Sequence, residues 1–332
     1  MSNPTALHTR KPARHIIVNV FPGGFNWPLF AAQDKGFFAR NGLTVDVQGT
    51  VNSVSQMTGL SECAFDIAIT AMDNIVAYAE GQGEAPIGPQ PDFFAFMGID
   101  AGFLRLVAGG DVHSMSELRG RTVSVDALTT GYAFVLLDIL RRAGLAEGDY
   151  GIAKAGGMVQ RWCALMDGKH DATLLSAPFN LLATTAGCNQ LAQATDIIGP
   201  YQGNVGAARR IWAEANRETV SDFIRSCICA LDWLHARDNR QEAIQILLKH
   251  LPDMTTELAE RSYQELLVGP NGFIQNGQMN MEGVRTVLNL RSRYGEPRTL
   301  LADAMAYYDP AYYQQALAAL HRSGGSSSGS PS

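Results

Sequence analysis

The segment NVFPGGFNWPLFAAQDKGFF, residues 19–38, joins a short apolar strand to a helix through a turn of unusual composition. The strand before it, HIIVNV at residues 15–20, is apolar and β-branched, which is typical of a strand buried on both faces. A bare connection needs only about two to six small residues. This turn instead carries Phe25 and Trp27 after a glycine pair. Two large rings in a turn require a cover, and the rest of the sequence should indicate what provides it.

Short apolar strands alternate with helical patterns beyond this turn. FDIAIT at residues 65–70 and DATLLS at residues 171–176 are buried strands, and FFAFMGI and FLRLVAG are two more, joined by DAG at residues 100–102. From residue 217 to His321 the pattern is helical. This order predicts an α/β fold with largely parallel sheets and a helical C-terminal segment.

The bulk composition excludes several classes of partner. A chain of 332 residues can bury a large core and suggests two domains, or one domain built from two lobes. The formal net charge of -6 leaves no basic footprint, so we expect no nucleic-acid partner. No apolar run approaches the roughly 18 residues of a spanning helix, so we expect no membrane insertion.

The N-terminal segment and the cysteines indicate the cellular compartment of the protein. The stretch MSNPTALHTRKPARH is positively charged but has no apolar core, so it is not a secretory signal peptide. Five cysteines form no pairable set, which suits a reducing compartment. The chain as it stands is therefore predicted to be cytoplasmic, or periplasmic if a signal was removed.

Five segments in order resemble the substrate-binding proteins of nitrate, sulfonate and taurine ABC importers, whose superfamily includes the thiamine-pyrimidine synthase proteins. They are PLFAAQDKGFFARNGLTVDV, FDIAIT, SELRGRTVSV, LMDGKHDATLLSAP and RETVSDFIRSCICALDWL. The resemblance rests on the common order and spacing of all five segments. The resemblance covers roughly residues 16–234.

The resemblance implies a type II periplasmic-binding-protein fold, with two α/β lobes and a ligand cleft between them. The crossings between lobes are expected near Gly109 and Gly203. Residues 1–109 and 204–322 would then form lobe 1, and residues 110–203 lobe 2. The composition of residues 323–332 predicts a flexible tail. Ligands of open α/β sheets bind outside the carboxyl ends of the strands, which agrees with the expected cleft.

The opening turn is then predicted to be a wall of the cleft. Gly23 and Gly24 would let the backbone approach a ligand, and Trp27 would stack on it. The ligand-binding candidates in this turn are Phe25, Asn26 and Trp27. Asn26 would also cap the following helix. The alternative is that Phe25 and Trp27 merely pack against a neighbouring loop.

Further ligand-binding candidates lie at the other strand-to-helix turns and at the return crossing. Asp73 could equally be an N-cap, and Tyr132 could stack opposite Trp27 or lie in the interlobe core. Asn204 could be a turn residue. The candidates beyond the first turn are Met72, Asp73, Thr129, Thr130, Gly131, Tyr132, Ser176 and Asn204.

The charge of the ligand is not settled by these residues. Helix N-termini favour an anion. Three aspartates near the same turns would oppose one, and three arginines could offset them if they point inward: Asp73, Asp100, Asp126, Arg105, Arg161 and Arg209. A flat aromatic or heterocyclic acid fits Phe25, Trp27 and Tyr132 best.

Two functions remain open at this point. The first is an importer-type binding protein that captures a small molecule and, if exported, delivers it to an ABC importer permease. The second is a cytoplasmic enzyme on the same scaffold, such as a decarboxylase, hydrolase or desulfinase acting on a small aromatic acid. Asp73 and Asp126 are its candidates for a general acid or base.

Motifs for cofactors and metals are missing from the sequence. The seven histidines show no ligand spacing, and there is no phosphate loop, dinucleotide fingerprint or nucleophile elbow. We therefore expect no cofactor and no metal site. Whether chemistry follows binding stays open.

Overall fold

The computed structural model of the protein describes residues 12–88 and 91–325. Ten strands in this part form two five-stranded sheets. The strands are β1 (Arg14–Val20), β2 (Leu43–Gly49), β3 (Ile67–Ala71), β4 (Phe93–Gly98), β5 (Arg105–Ala108), β6 (Thr122–Val125), β7 (Gly151–Lys154), β8 (Ala172–Leu175), β9 (Asn189–Gln193) and β10 (Asn204–Arg209).

Helices connect the strands and form most of the described part of the chain after β10. They are α1 (Trp27–Asp34), α2 (Phe37–Arg40), α3 (Ser53–Ser61), α4 (Met72–Ala79), α5 (Gly131–Arg142), α6 (Met158–Met166), α7 (Phe179–Thr185), α8 (Ala194–Ile198), α9 (Arg210–Ala215), α10 (Arg217–His235), α11 (Arg240–His250), α12 (Thr256–Tyr263), α13 (Met281–Tyr294) and α14 (Pro310–Gly325). A π-helical turn, Gln264–Val268, follows α12. The predicted helical C-terminal segment is confirmed.

The first sheet has the strand order β2-β1-β3-β10-β4. Ile16, Val18 and Val20 of β1 are buried, which confirms the predicted strand. Strand β1 is parallel to β2 and β3, whereas β10 is antiparallel to β3 and β4. We call the half of the molecule built on this sheet lobe 1.

The second sheet, the base of lobe 2, has the order β7-β6-β8-β5-β9. It is also mixed, because β5 is antiparallel to β8 and β9. The expectation of largely parallel sheets holds for four of the five strands in each sheet. The strand that follows each crossing between the lobes, β5 or β10, runs in the opposite direction. Strand β5 also corrects the expected crossing near Gly109, since the chain has already reached the second sheet at Arg105. We propose residues 105–203 as lobe 2 and the remaining described residues as lobe 1.

Asp100 joins the two crossings between the lobes. Its carboxylate accepts hydrogen bonds from the backbone N–H of Gly102 (3.0 Å) and of Asn204 (3.1 Å), and from Asn204 Nδ2 (2.7 Å). A Cβ at Gly203 would overlap this carboxylate, so the second crossing needs a glycine there. Burial raises the pKa of Asp100 to about 6, although these hydrogen bonds lower it. The bond from the Gly102 N–H, two residues further on, is the turn contact that aspartate side chains commonly make.

Helix α13 packs against both lobes. It contacts α4 of lobe 1 and α5 of lobe 2. Ile75 of α4, Phe134 of α5 and Val287 of α13 belong to one continuous cluster of buried apolar side chains. The lobes therefore share a core on this side of the molecule.

The ends of the chain lie largely outside the described residues. Residues 1–11, which include most of the N-terminal segment considered above, are outside them, and so are residues 326–332 of the predicted tail. Residues 323–325 of that tail continue α14. None of the helices in the described part has the length and apolar character that crossing a membrane requires.

Candidate ligand-binding site

A cavity of about 150 Å³ lies between the two lobes. Its lobe 1 wall includes Phe25 and Val51, and its lobe 2 wall includes Tyr132, Met158 and Arg161. An engineered cavity of about this volume in another protein holds one benzene molecule. The space therefore suits a single small ring with short substituents. The ligand cleft expected from the sequence is present.

Four aromatic residues contribute to the apolar surface of the cavity: Phe21, Phe25, Phe103 and Tyr132. Phe25 comes from the first turn, Phe103 from the crossing before β5, and Tyr132 from the first turn of α5. Burial, reinforced by the charge of Asp100, raises the pKa of the Tyr132 phenol far above its ordinary value, so it stays neutral. Neutral rings on opposite walls can enclose a flat ligand.

Trp27 does not line the cavity. Its side chain is 0% exposed and lies in the core of lobe 1. The indole Nε1 donates a hydrogen bond to the carbonyl oxygen of Ala243 (3.0 Å), and the ring meets Tyr263 edge-on. The expectation that Trp27 stacks on a ligand opposite Tyr132 is incompatible with this placement. The helical C-terminal part of the chain therefore covers the Trp27 ring, through Ala243 and Tyr263.

The rest of the first turn also differs from its expected role. Asn26 precedes α1 but makes no capping hydrogen bond; its Nδ2 donates to the carbonyl of Phe21 (2.6 Å). A Cβ at Gly24 would lie 3.3 Å from the carbonyl oxygen of Ala177 in lobe 2. Gly24 thus allows lobe 1 to approach lobe 2, and neither residue lines the cavity.

Asp73 lines the cavity, but its carboxylate already forms an ion pair with an arginine. Arg291 of α13 donates to Asp73 Oδ1 from Nε (2.7 Å) and to Oδ2 from Nη2 (2.5 Å). The two side chains are 1% and 2% exposed. Asp73 is the second residue of α4, and Ala71 holds the N-cap position, so the N-cap role considered from the sequence is absent.

The turn before α5 brings three of its four candidates to the cavity. Thr130 caps α5 by accepting from the N–H of Ala133, and Gly131 and Tyr132 follow it along the cavity wall. A Cβ at Gly131 would overlap Asp73 of lobe 1, so only glycine permits this approach of the lobes. Thr129 is turned away: its Oγ1 donates to Glu84 (3.0 Å) and its carbonyl accepts from Arg291 Nη2 (2.7 Å).

The remaining candidates are divided between the cavity and the core. Ser176 and Asn204 line the cavity, and Asn204 also holds Asp100 as described above. Met72 is 0% exposed and packs in the core that the lobes share. Met72 therefore supports the wall without reaching a ligand.

Arg161 is the cavity residue that the sequence left undecided. It lies one turn into α6 and is 2% exposed. Its Nη2 reaches only Met158 Sδ (3.7 Å), and its Nε has no hydrogen-bond partner among the described residues. Burial lowers the pKa of Arg161, while Asp126 and Tyr132 partly offset that effect. A buried guanidinium without an ion pair is costly and offers a site for an anion.

Of the other charged candidates, some line the cavity beside Arg161 and some do not. Asp126 lines the cavity and accepts a hydrogen bond from Thr130 Oγ1 (2.6 Å). Arg105 Nη2 lies 3.6 Å from Glu265 Oε1, so this arginine has an ion-pair partner. Neither Arg105 nor Arg209 lines the cavity. The glycine pair in AGG, residues 155–157, just before α6 is the signal that could have marked this turn as a wall of the cleft. Among the described residues, no group of three or more His, Cys, Asp or Glu side chains is arranged to hold a metal ion.

Comparison with known proteins identifies relatives of this chain. The profile of the family described as NMT1/THI5 like matches residues 26–241, more than half of the chain. The Bacillus subtilis (strain 168) protein YtlA is 36% identical over 100 residues, which are 30% of this chain and 28% of YtlA. The match to this relative therefore spans little more than a quarter of its length.

Solved structures share the fold over nearly the whole chain. The periplasmic nitrate-binding protein NrtA from Synechocystis PCC 6803 has a TM-score of 0.78 at 14% identity, covering 93% of this chain and 89% of NrtA. The periplasmic aliphatic sulphonate binding protein SsuA from Escherichia coli has a TM-score of 0.69 at 16% identity, covering 91% of this chain and 99% of SsuA. The predicted two-lobed fold is confirmed, and with the profile match the chain belongs to the NMT1/THI5-like family.

Proposed function

We propose that the protein is a solute-binding protein of the ABC-importer type that captures a small aromatic or heterocyclic acid between its lobes. Its structural relatives NrtA and SsuA are named as binding proteins for nitrate and for aliphatic sulphonates. The observation that carries the choice of an acid is the buried, unpaired guanidinium of Arg161 in the cavity. Phe25, Phe103 and Tyr132 favour a flat ring between the lobes.

The enzyme alternative has less support. The family and the relatives described above do not favour it. Asp73, one of its two candidate acids or bases, is held at both oxygens by Arg291. Because Arg291 engages both oxygens, the Asp73 carboxylate is poorly placed to contact a substrate.

Isothermal titration calorimetry with benzoate, benzamide and hexanoate tests the proposal. We expect benzoate to bind at least tenfold more tightly than neutral benzamide and than aliphatic hexanoate. Replacing Arg161 by Gln should weaken benzoate binding by about 10- to 100-fold, since hydrogen bonds to charged groups contribute about 1.5–3 kcal/mol. Arg119→Gln, at an exposed site in the same lobe, is the control and should leave the affinity unchanged.

Two results would contradict parts of this proposal separately. Benzamide binding as tightly as benzoate would exclude an acid as the ligand. Hexanoate binding as tightly as benzoate would exclude the aromatic class. Delivery to a permease is tested by cross-linking the loaded protein in cells that carry the native gene, together with fractionation to find its compartment.

A further inference from the structure

Four ionisable side chains line the cavity: Asp73, Asp126, Tyr132 and Arg161. Tyr132 is neutral, as argued above. The charge of Asp73 is cancelled within the protein, because Arg291 holds both of its oxygens in a pair that is almost fully buried. A ligand therefore meets two charges that have no ion-pair partner among the described residues, one positive and one negative.

The two remaining charges do not cancel each other by contact. The structure has no ion pair between the described side chains of Arg161 and Asp126. Asp126 accepts a hydrogen bond from Thr130 Oγ1, and Arg161 Nη2 reaches only Met158 Sδ. The charge of Asp126 is nevertheless close enough to affect the pKa of Arg161. The cavity thus presents a cation and an anion that do not form an ion pair with each other.

These two charges determine which charge the ligand should carry. An anion bound at Arg161 brings a second negative charge into the same enclosed space as Asp126, and like charges repel strongly where water is excluded. A ligand that also carries a cationic group facing Asp126 removes this repulsion. It leaves every charge in the cavity with an opposite partner, which is the usual condition for buried charges.

We infer that the ligand is a zwitterion, with an acid group on Arg161, a protonated amine on Asp126 and a small ring between them. The inference rests on the proposed function and narrows its ligand class. Phe25 and Tyr132 enclose the ring, and the volume of about 150 Å³ limits it to one ring of benzene size.

Three matched compounds test the inference by calorimetry at pH 7: 4-(aminomethyl)benzoate, 4-methylbenzoate and benzylamine. The wild-type protein should bind the zwitterion at least tenfold more tightly than either singly charged compound. Asp126→Asn retains an acceptor for Thr130 Oγ1 but removes the charge. In this variant the zwitterion should lose at least tenfold in affinity, while 4-methylbenzoate should bind as well as before or better.

Asp167→Asn provides the control, since this exposed aspartate of the same lobe lies outside the cavity. It should leave all three affinities unchanged, and thermal unfolding of both variants checks that they are folded. Equal or tighter wild-type binding of 4-methylbenzoate would overturn the zwitterion and leave the acid proposal standing. Tightest binding of benzylamine, or binding of none of the three, would overturn the acid proposal and the inference together.

Discussion

Arg291 holds the cavity carboxylate of Asp73 in lobe 1 and, through the same Nη2 atom, the carbonyl oxygen of Thr129 in lobe 2. Its guanidinium also lies 4.7 Å from the ring centroid of Phe134 in α5. One buried side chain therefore neutralises a wall of the site and joins the two lobes behind it.

Replacing Arg291 by Met should lower the free energy of unfolding by about 3–5 kcal/mol, because Asp73 would remain as a buried, unpaired charge. The double variant Asp73→Leu with Arg291→Met should recover much of this loss, since no charge is then left buried. Urea unfolding measures both. Arg293→Met, at a half-exposed position of the same helix, is the control. A loss in Arg291→Met no larger than in the control would contradict the prediction.

Replacing Arg161 by Met should stabilise the ligand-free protein. The wild type buries a guanidinium that forms no ion pair, and burial lowers its pKa. An apolar side chain of similar length avoids that desolvation cost, so the free energy of unfolding should rise by about 1 kcal/mol or more while ligand binding is lost. Thermal unfolding without ligand checks this. A destabilised Arg161→Met would mean that the guanidinium contributes to the fold rather than to binding.

The first turn shows what a sequence pattern can and cannot provide. The strand, turn and helix were predictable because β-branched residues, glycines and a proline act locally. The direction of Trp27 was not, because it depends on Ala243 and Tyr263, more than two hundred residues away in sequence. From the sequence alone, the ring that lines the cavity cannot be distinguished from the ring that is buried in the core.

The same limit applies to the charges and to the sheets. The role of Asp73 depends on Arg291, which a spacing argument cannot pair with it. The sheet to which β5 belongs depends on its pairing with β8 and β9, whereas its apolar pattern fits either sheet. Thr130 was predictable as a cap because capping is a local requirement. The need for glycine at position 131 was not, because it depends on Asp73 of the other lobe.

A pair of neighbouring substitutions separates packing from binding in the first turn. Trp27→Phe leaves the carbonyl of Ala243 without its buried donor, and the free energy of unfolding should fall by about 1–3 kcal/mol with little change in affinity. Phe25→Ala should weaken binding of an aromatic acid by about five- to tenfold, because its ring faces the cavity. Calorimetry and urea unfolding on both variants give the comparison. A larger affinity loss in Trp27→Phe than in Phe25→Ala would contradict it.

The carboxyl group at the crossings should make stability depend on pH. Burial raises the pKa of Asp100 from 3.8 to about 6, so the folded protein keeps a proton that the unfolded chain has released. The stabilisation from this proton is complete below the unfolded pKa and is lost as the pH rises through about 6. From about pH 4 to about pH 7, the free energy of unfolding should therefore fall by about 2 kcal/mol relative to Asp100→Asn, which has no such proton to lose.

Urea unfolding of the wild type and of Asp100→Asn at several pH values measures that difference. Asp167→Asn, at an exposed position, serves as the control and should follow the wild type. A wild-type minus Asp100→Asn difference that stays constant with pH would contradict the prediction.

Helix α13 makes the two lobes a single cooperative unit, although the chain alternates between them. It fills the space between α4 and α5, and its apolar side chains complete a core to which both sheets contribute. Lobe 2 expressed alone would expose the face of α5 that α13 covers. An exchange of lobes between relatives would have to transfer α5 and α13 together, because the two helices pack on each other. Recombination can therefore exchange single ligand-contacting turns in this protein more readily than whole lobes.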